Sequence, residues 1–134
     1  MKILIADDNA DNLYYLEVML KAAGHEVMSA HNGREALDHL SGTRCDLIIS
    51  DILMPGMDGF QLCRECRKRE DLDAVPFIFY TATYADEKDR KLGLSIGADA
   101  YLIKPMEPDE LLSVIARVCA EAAGKREGSL ADEE

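Results

Sequence analysis

Residues 45–59 read Cys-Asp-Leu-Ile-Ile-Ser-Asp-Ile-Leu-Met-Pro-Gly-Met-Asp-Gly. The run Leu47-Ile48-Ile49 has no alternating polar residue, which is how a strand covered on both faces of a parallel sheet reads. It stops at Ser50-Asp51, and Pro55 and Gly56 then mark a turn. Asp58 precedes Phe60, Cys63 and Cys66, which share one helical face, so a helix is expected to start near it. Strand, charged strand end, loop and helix make one βα unit.

The same plan repeats outward from this stretch. Apolar runs recur near 2–6, 26–30, 76–80 and 100–103. Helical spacing appears between them, in Leu13, Leu16, Leu20 and Ala23, and again in Ala36, Leu37 and Leu40. The last helix carries Leu111, Ile115, Val118 and Ala122, with Pro108, Asp109 and Glu110 as its N-terminal signal. The segment 86–96 is nearly all polar in its first half, with only Leu92, Leu94 and Ile96 for apolar anchorage, so it is expected to be the least firmly held helix. Gly24, Gly97 and Gly124 fall where C-caps are expected. Five strands alternating with five helices predict a single α/β domain, a doubly wound five-stranded parallel sheet with right-handed crossovers. The domain is expected over 1–123, with an acidic tail or linker over 124–134.

Functional groups in such sheets gather beyond the carboxyl ends of the strands. Here those ends carry Asp7-Asp8, Asp51, Thr81 and Lys104-Pro105. Neighbouring strand ends lie about 5 Å apart, so Asp7, Asp8 and Asp51 are expected to converge. Carboxylates that close repel unless a cation sits among them, and hard oxygen donors suit Mg²⁺. A carboxylate beside Mg²⁺ and an ammonium can attack an activated phosphoryl group, giving an acyl phosphate whose charge the cations screen. Asp7, Asp8 or Asn9 also has a plain structural use as cap of a helix expected to start near Asn12, and Lys104 precedes a proline, whose peptide bond takes the cis form more readily than others.

The chain has 134 residues and a net charge of −11, with 26 acidic residues against 15 basic. That balance argues against direct binding to a nucleic-acid backbone, which rests on Lys and Arg. No stretch approaches the roughly 20 apolar residues of a membrane helix, and the first residues read as a strand, so the protein is expected in the cytoplasm without membrane contact. The four cysteines include Cys63-x-x-Cys66. A redox pair needs its first thiol at a helix N-terminus, whereas Cys63 falls in the second turn. Zinc needs further ligands that are not visible. The pair is read as core.

Asp-Asp at 7–8, Asp-x-x-Met-Pro-x-Met-Asp-Gly at 51–59, Thr-Ala at 81–82, Gly-Ala-Asp-Ala-Tyr at 97–101 and Lys-Pro at 104–105 together resemble a response-regulator receiver domain of two-component signal transduction. The likeness spans about residues 2–122. It implies the flavodoxin-like strand order 2-1-3-4-5. It implies Asp51 as phosphoacceptor, taking a phosphoryl group from a sensor histidine kinase or phosphotransfer protein. It implies Mg²⁺ (or Mn²⁺) held by Asp8, Asp51 and the Leu53 backbone carbonyl, with Asp7 acting largely through water. Thr81 and Lys104 would contact the phosphoryl group, and Tyr101 would be the switch aromatic that moves inward with Thr81, altering the surface of the fourth helix, fifth strand and fifth helix. Leu53 and Thr83 occupy positions that tune dephosphorylation, and an apolar Leu53 implies a persistent phosphate. Self-phosphorylation and its reversal are the only chemistry implied, with no turnover of an external substrate.

Three alternatives stand beside this reading. A receiver-shaped interaction module that is never phosphorylated usually lacks a site residue, and none is lacking here. A flavodoxin-like cofactor binder is opposed by the acidic loop Asp7-Asp8-Asn9-Ala10-Asp11, and an Asp-nucleophile phosphatase by the spacing after the first strand. The output is either a downstream effector protein or a fused domain, with a phosphorylation-dependent homodimer among the forms implied. The charged Lys125-Arg126-Glu127-Gly128 favours a linker to a further segment.

Overall fold

The computed structural model describes residues 1–133, with side chains as far as residue 124. Five strands, β1 (Lys2–Ala6), β2 (Glu26–Ala30), β3 (Leu47–Ser50), β4 (Phe77–Thr81) and β5 (Ala100–Ile103), alternate with α1 (Ala10–Ala22), α2 (Gly33–Leu40), α3 (Gly59–Lys68), α4 (Glu87–Ile96) and α5 (Pro108–Glu133). All strand pairs are parallel, in the order β2-β1-β3-β4-β5. The expected doubly wound sheet is the observed one.

Side chains alternate across the strands and so build two cores. Ile3, Ile5, Leu47, Ile49 and Ile78 face α1 and α5, where Leu13, Leu16, Leu20, Leu111, Ile115 and Val118 meet them. Leu4, Ile48, Phe77 and Phe79 face the other way, against Ala36, Leu40, Leu62, Cys63 and Cys66. Both cysteines of the C-x-x-C are completely buried. Burial pushes the Cys63 thiol up to about 11 and the Cys66 thiol to about 12, so neither is a thiolate at neutral pH.

Register brings the strand ends together. Ala6 pairs with Ser50, and the Asp51 N–H donates to the Ala6 carbonyl at 2.8 Å, so Asp7 and Asp51 leave neighbouring strands at one level. Thr81 pairs with Ile103, and the Lys104 N–H donates to the Thr81 carbonyl at 2.9 Å. The Lys104–Pro105 peptide is cis.

Four local details differ from the sequence expectation. α1 starts two residues before Asn12 because the Asn9 side chain caps it, accepting from the Asn12 N–H at 3.0 Å. Thr81 is the last residue of β4 and lies within the strand. Leu92 is 41% exposed and anchors nothing, because α4 turns Gly93 inward, with Leu94 and Ile96 half-buried beside it. Gly124 lies inside α5 and does not cap it. The residues around it, Glu121 to Glu127, are mostly good helix formers, and one glycine costs such a run only about 1 kcal/mol. The expected tail over 124–134 otherwise falls on residues whose side chains lie outside the described set. Among the described residues no helix is long and apolar enough to cross a membrane.

Candidate functional site

The site is built where β1, β3, β4 and β5 end. Asp7 is 2% exposed. Its Oδ1 accepts the Asn9 N–H at 2.9 Å, and its Oδ2 accepts from Lys104 Nζ at 2.7 Å. Asp51 is held in the same manner: Oδ1 accepts the Ile52 N–H at 2.6 Å and Oδ2 accepts from Lys104 Nζ at 2.9 Å. One ammonium, brought from β5 across the sheet, thus ties two carboxylates from adjacent strands. Its Nζ lies over the Tyr80 ring, 5.4 Å from the centroid.

Electrostatics follow from this geometry. Burial alone lowers the pKa of the Lys104 amine, but hydrogen bonds and charge attraction from Asp7 and Asp51 outweigh it and hold the pKa above the usual lysine value. Lys104 is therefore a fixed positive charge at neutral pH. The β3–α3 loop reaches the site over Gly59, whose N–H donates to the Ile52 carbonyl at 2.8 Å. A side chain at Gly59 would overlap the Asp51 carbonyl oxygen, so only glycine lets the loop fold back this tightly. Asp58 then starts α3 with a reciprocal cap: its side chain takes the Gln61 N–H at 2.9 Å, and Gln61 takes the Asp58 N–H at 3.0 Å.

The remaining expected residues are less tightly gathered. Asp8 is exposed, and among the described residues its side chain has no partner. Asp7 and Asp51 converge as expected, while Asp8 stands outside them. Thr81 is buried, and its hydroxyl lies 3.4 Å from that of Thr83. Leu53 is 52% exposed and Thr83 is exposed as well. Tyr101 is 8% exposed, and its hydroxyl donates to the Tyr84 carbonyl at 2.5 Å. Burial, with the negative charges of Asp89 and Asp51 and the nearby Tyr84 behind it, pushes the Tyr101 hydroxyl up to about 12.

The donor chemistry accommodates a hard divalent cation. Asp7 and Asp51 already converge on one positive charge, and the adjoining Asp8 is exposed, with no side-chain partner among the described residues. As the side chains stand, the Lys104 ammonium takes the position between the two carboxylates. Among the described residues no three His, Cys, Asp or Glu side chains form a ready cation cage.

Residues 3–116 match the response regulator receiver domain family. The chain belongs to that family. It is 42% identical over 117 residues to a probable transcriptional regulator, ycf27, of Porphyridium aerugineum, covering 87% of this chain and 47% of that protein. Protein PilH of Pseudomonas aeruginosa is 38% identical over 119 residues, covering 89% of this chain and 98% of PilH. A crystal structure of the receiver domain of a signal transduction histidine kinase from Syntrophus aciditrophicus matches with a TM-score of 0.81 and 39% identity, over 90% of each chain. The chain spans about half the length of the ycf27-type relatives it matches. It is a receiver domain of the two-component type, a signalling module of the kind that works with sensor kinases and downstream effectors.

Sequence reasoning placed Asp7, Asp8, Asp51, Thr81 and Lys104 at one point, of which Asp8 stands outside, and did not find Tyr84 or Gly93 beside Tyr101 or Phe60 behind Tyr84. Tyr84 serves through its backbone carbonyl, which any residue supplies. Phe60 appeared only as a core residue of its helix. Gly93 carries no signal of its own in a largely polar helix, since what packs against it comes from β4 and β5.

Proposed function

We propose that this receiver is a phosphoacceptor with Asp51 as the modified residue. The observation that supports this most is the Asp7–Lys104–Asp51 bridge, which holds a half-buried carboxylate and a fixed positive charge at adjoining strand ends. The donor is a phosphohistidine on a sensor histidine kinase or phosphotransfer protein. An Asp51 oxygen attacks the phosphorus; the O–P bond forms as the P–N bond breaks, and the imidazole leaves with the electron pair and takes a proton from solvent. Lys104 sets its charge against the phosphoryl oxygens. The Thr81 hydroxyl gives up its contact with Thr83, long at 3.4 Å for a bond between hydroxyls, and donates to a phosphoryl oxygen. Mg²⁺ or Mn²⁺, held by Asp7, Asp8, Asp51 and the Leu53 carbonyl, would supply charge neutralisation when bound.

Tyr101 then reports the state of Thr81 to the face formed by α4, β5 and α5, whose two forms phosphorylation biases. Exposed, apolar Leu53 cannot orient an attacking water, so the acyl phosphate persists. Residues 1–123 act as the receiver, in the cytoplasm, with 124–134 as an acidic tail or linker, and the output is a downstream effector, a fused domain or a phosphorylation-dependent homodimer. The chemistry is self-modification, without turnover of an external substrate.

Incubation with acetyl phosphate and Mg²⁺, followed by intact-mass measurement, tests this. One added phosphoryl group is expected, absent from Asp51→Asn and from a Mg²⁺-free sample. An unchanged mass, or an equal gain in Asp51→Asn, overturns the assignment and leaves a receiver-shaped binding module.

A further inference from the structure

At one point α4 lies so close to two aromatic rings of the sheet that no side chain fits on the helix. A Cβ at Gly93 would stand 2.8 Å from Tyr101 Cδ2, 3.0 Å from Tyr101 Cε2 and 3.1 Å from Phe79 Cδ2. Gly93 is also the one buried residue of α4. Glycine weakens a helix interior relative to alanine, and α4 has little grip to spare, since its N-cap residue Asp86 makes no side-chain bond. Something other than helix stability accounts for a glycine here, and the Tyr101 ring fills the space it leaves.

That ring is the middle of a chain of contacts. It packs on Phe79 at 5.7 Å between centroids, and its hydroxyl holds the Tyr84 carbonyl. Tyr84 leans edge-on against Phe60 at 6.0 Å. Tyr84 belongs to the β4–α4 loop, which also carries Thr83, the neighbour of Thr81. The vacancy at Gly93 therefore decides whether Tyr101 can reach this loop.

We propose that Gly93 is a positioning residue for the switch: it is the seat that lets Tyr101 lie inward beneath α4 and hold the β4–α4 loop through the Tyr84 carbonyl. The inference rests on the reading of Tyr101 as the switch aromatic. A methyl group at this position displaces either the ring or the helix, and both displacements separate the Tyr101 hydroxyl from Tyr84.

The test is made on the full chain carrying isotope-labelled tyrosine rings, with a soluble gadolinium chelate as the probe of exposure. In the unsubstituted protein Tyr101 and Tyr80, both buried, should be protected from the chelate. Gly93→Ala should raise the relaxation of the Tyr101 ring several-fold and leave Tyr80 unchanged. A Tyr101 as protected as Tyr80 in folded Gly93→Ala overturns the proposal. If Gly93→Ala alone does not fold, Gly93→Ala combined with Tyr101→Ala decides: recovery of the fold upholds the seat, and continued unfolding refutes it by placing the clash elsewhere. No phosphoryl group enters this readout, so a protein that fails to take phosphate from acetyl phosphate would refute the phosphoacceptor reading without touching this result.

Discussion

α3 and α4 cover the same face of the sheet and are held in opposite ways. α3 begins with a reciprocal cap between Asp58 and Gln61 and buries Gly59, Phe60, Leu62, Cys63 and Cys66. At its other end Arg67 donates to the carbonyls of Gly97, Leu72 and Val75 and pairs with Asp99 at 3.2 Å. α4 begins at Asp86 without a side-chain cap, continues through charged residues 87–91, and buries only Gly93. Its C-terminal turn, at Gly97, is what Arg67 holds. α4 is thus tied at one end by α3 and free at the other, beside Tyr84, Thr81 and Tyr101. The weaker hold lies on α4 and its uncapped start rather than on both helices alike.

The contrast can be broken by truncation. Leu62→Ala on α3 should cost about 3 kcal/mol, because the side chain is fully buried and leaves a cavity. Leu92→Ala on α4 should stay within about 0.5 kcal/mol. Urea denaturation of the two variants measures the difference, and equal costs would show that α4 is packed as firmly as α3.

Caps sharpen the same comparison on a smaller scale. Asp58→Ala removes the side-chain half of the reciprocal cap, the bond from the Gln61 N–H, and should cost about 1 kcal/mol. Asp86→Ala removes no hydrogen bond and should cost only a few tenths, through the helix dipole alone. Amide hydrogen exchange should show protection falling at the start of α3 in the first variant and little change in α4 in the second.

The smallest expected effect is a pH trend. The folded pKa values of Lys104 and Tyr101 are both raised above their ordinary values. Their contributions are complete below the unfolded pKa, near 10 for each, and are lost as pH rises through the folded values, about 12 for Tyr101. Stability should therefore decline between pH 10 and 12, and less steeply in Tyr101→Phe. An equal slope in that variant would mean that Tyr101 ionises as an exposed tyrosine does.

Much of this was legible in the sequence, for physical reasons. A strand covered on both faces must be continuously apolar, and the polar residue that ends it marks the end of the sheet, so the strand ends at Asp7, Asp51 and Lys104 could be read directly. The weakness of α4 could be read from its composition. What stayed hidden depends on partners distant in sequence. Arg67 looks like any surface arginine until the fold brings carbonyls of residues 72, 75 and 97 to it. Leu92 looked like an anchor because helical phase cannot be set by three apolar residues spaced two apart. Lys104 was expected on a phosphoryl group, and the structure shows the ammonium first bridging two aspartates.

The most direct test of the account compares backbone amide spectra with and without beryllofluoride and Mg²⁺, which together mimic a phosphoryl group on Asp51. Large shifts are expected around Asp51, Thr81 and Lys104 that continue through Tyr84 and Tyr101 into α4, while α3 beyond its first turn stays quiet. Absence of any shift, or shifts as large along α3 as along α4, would contradict the account.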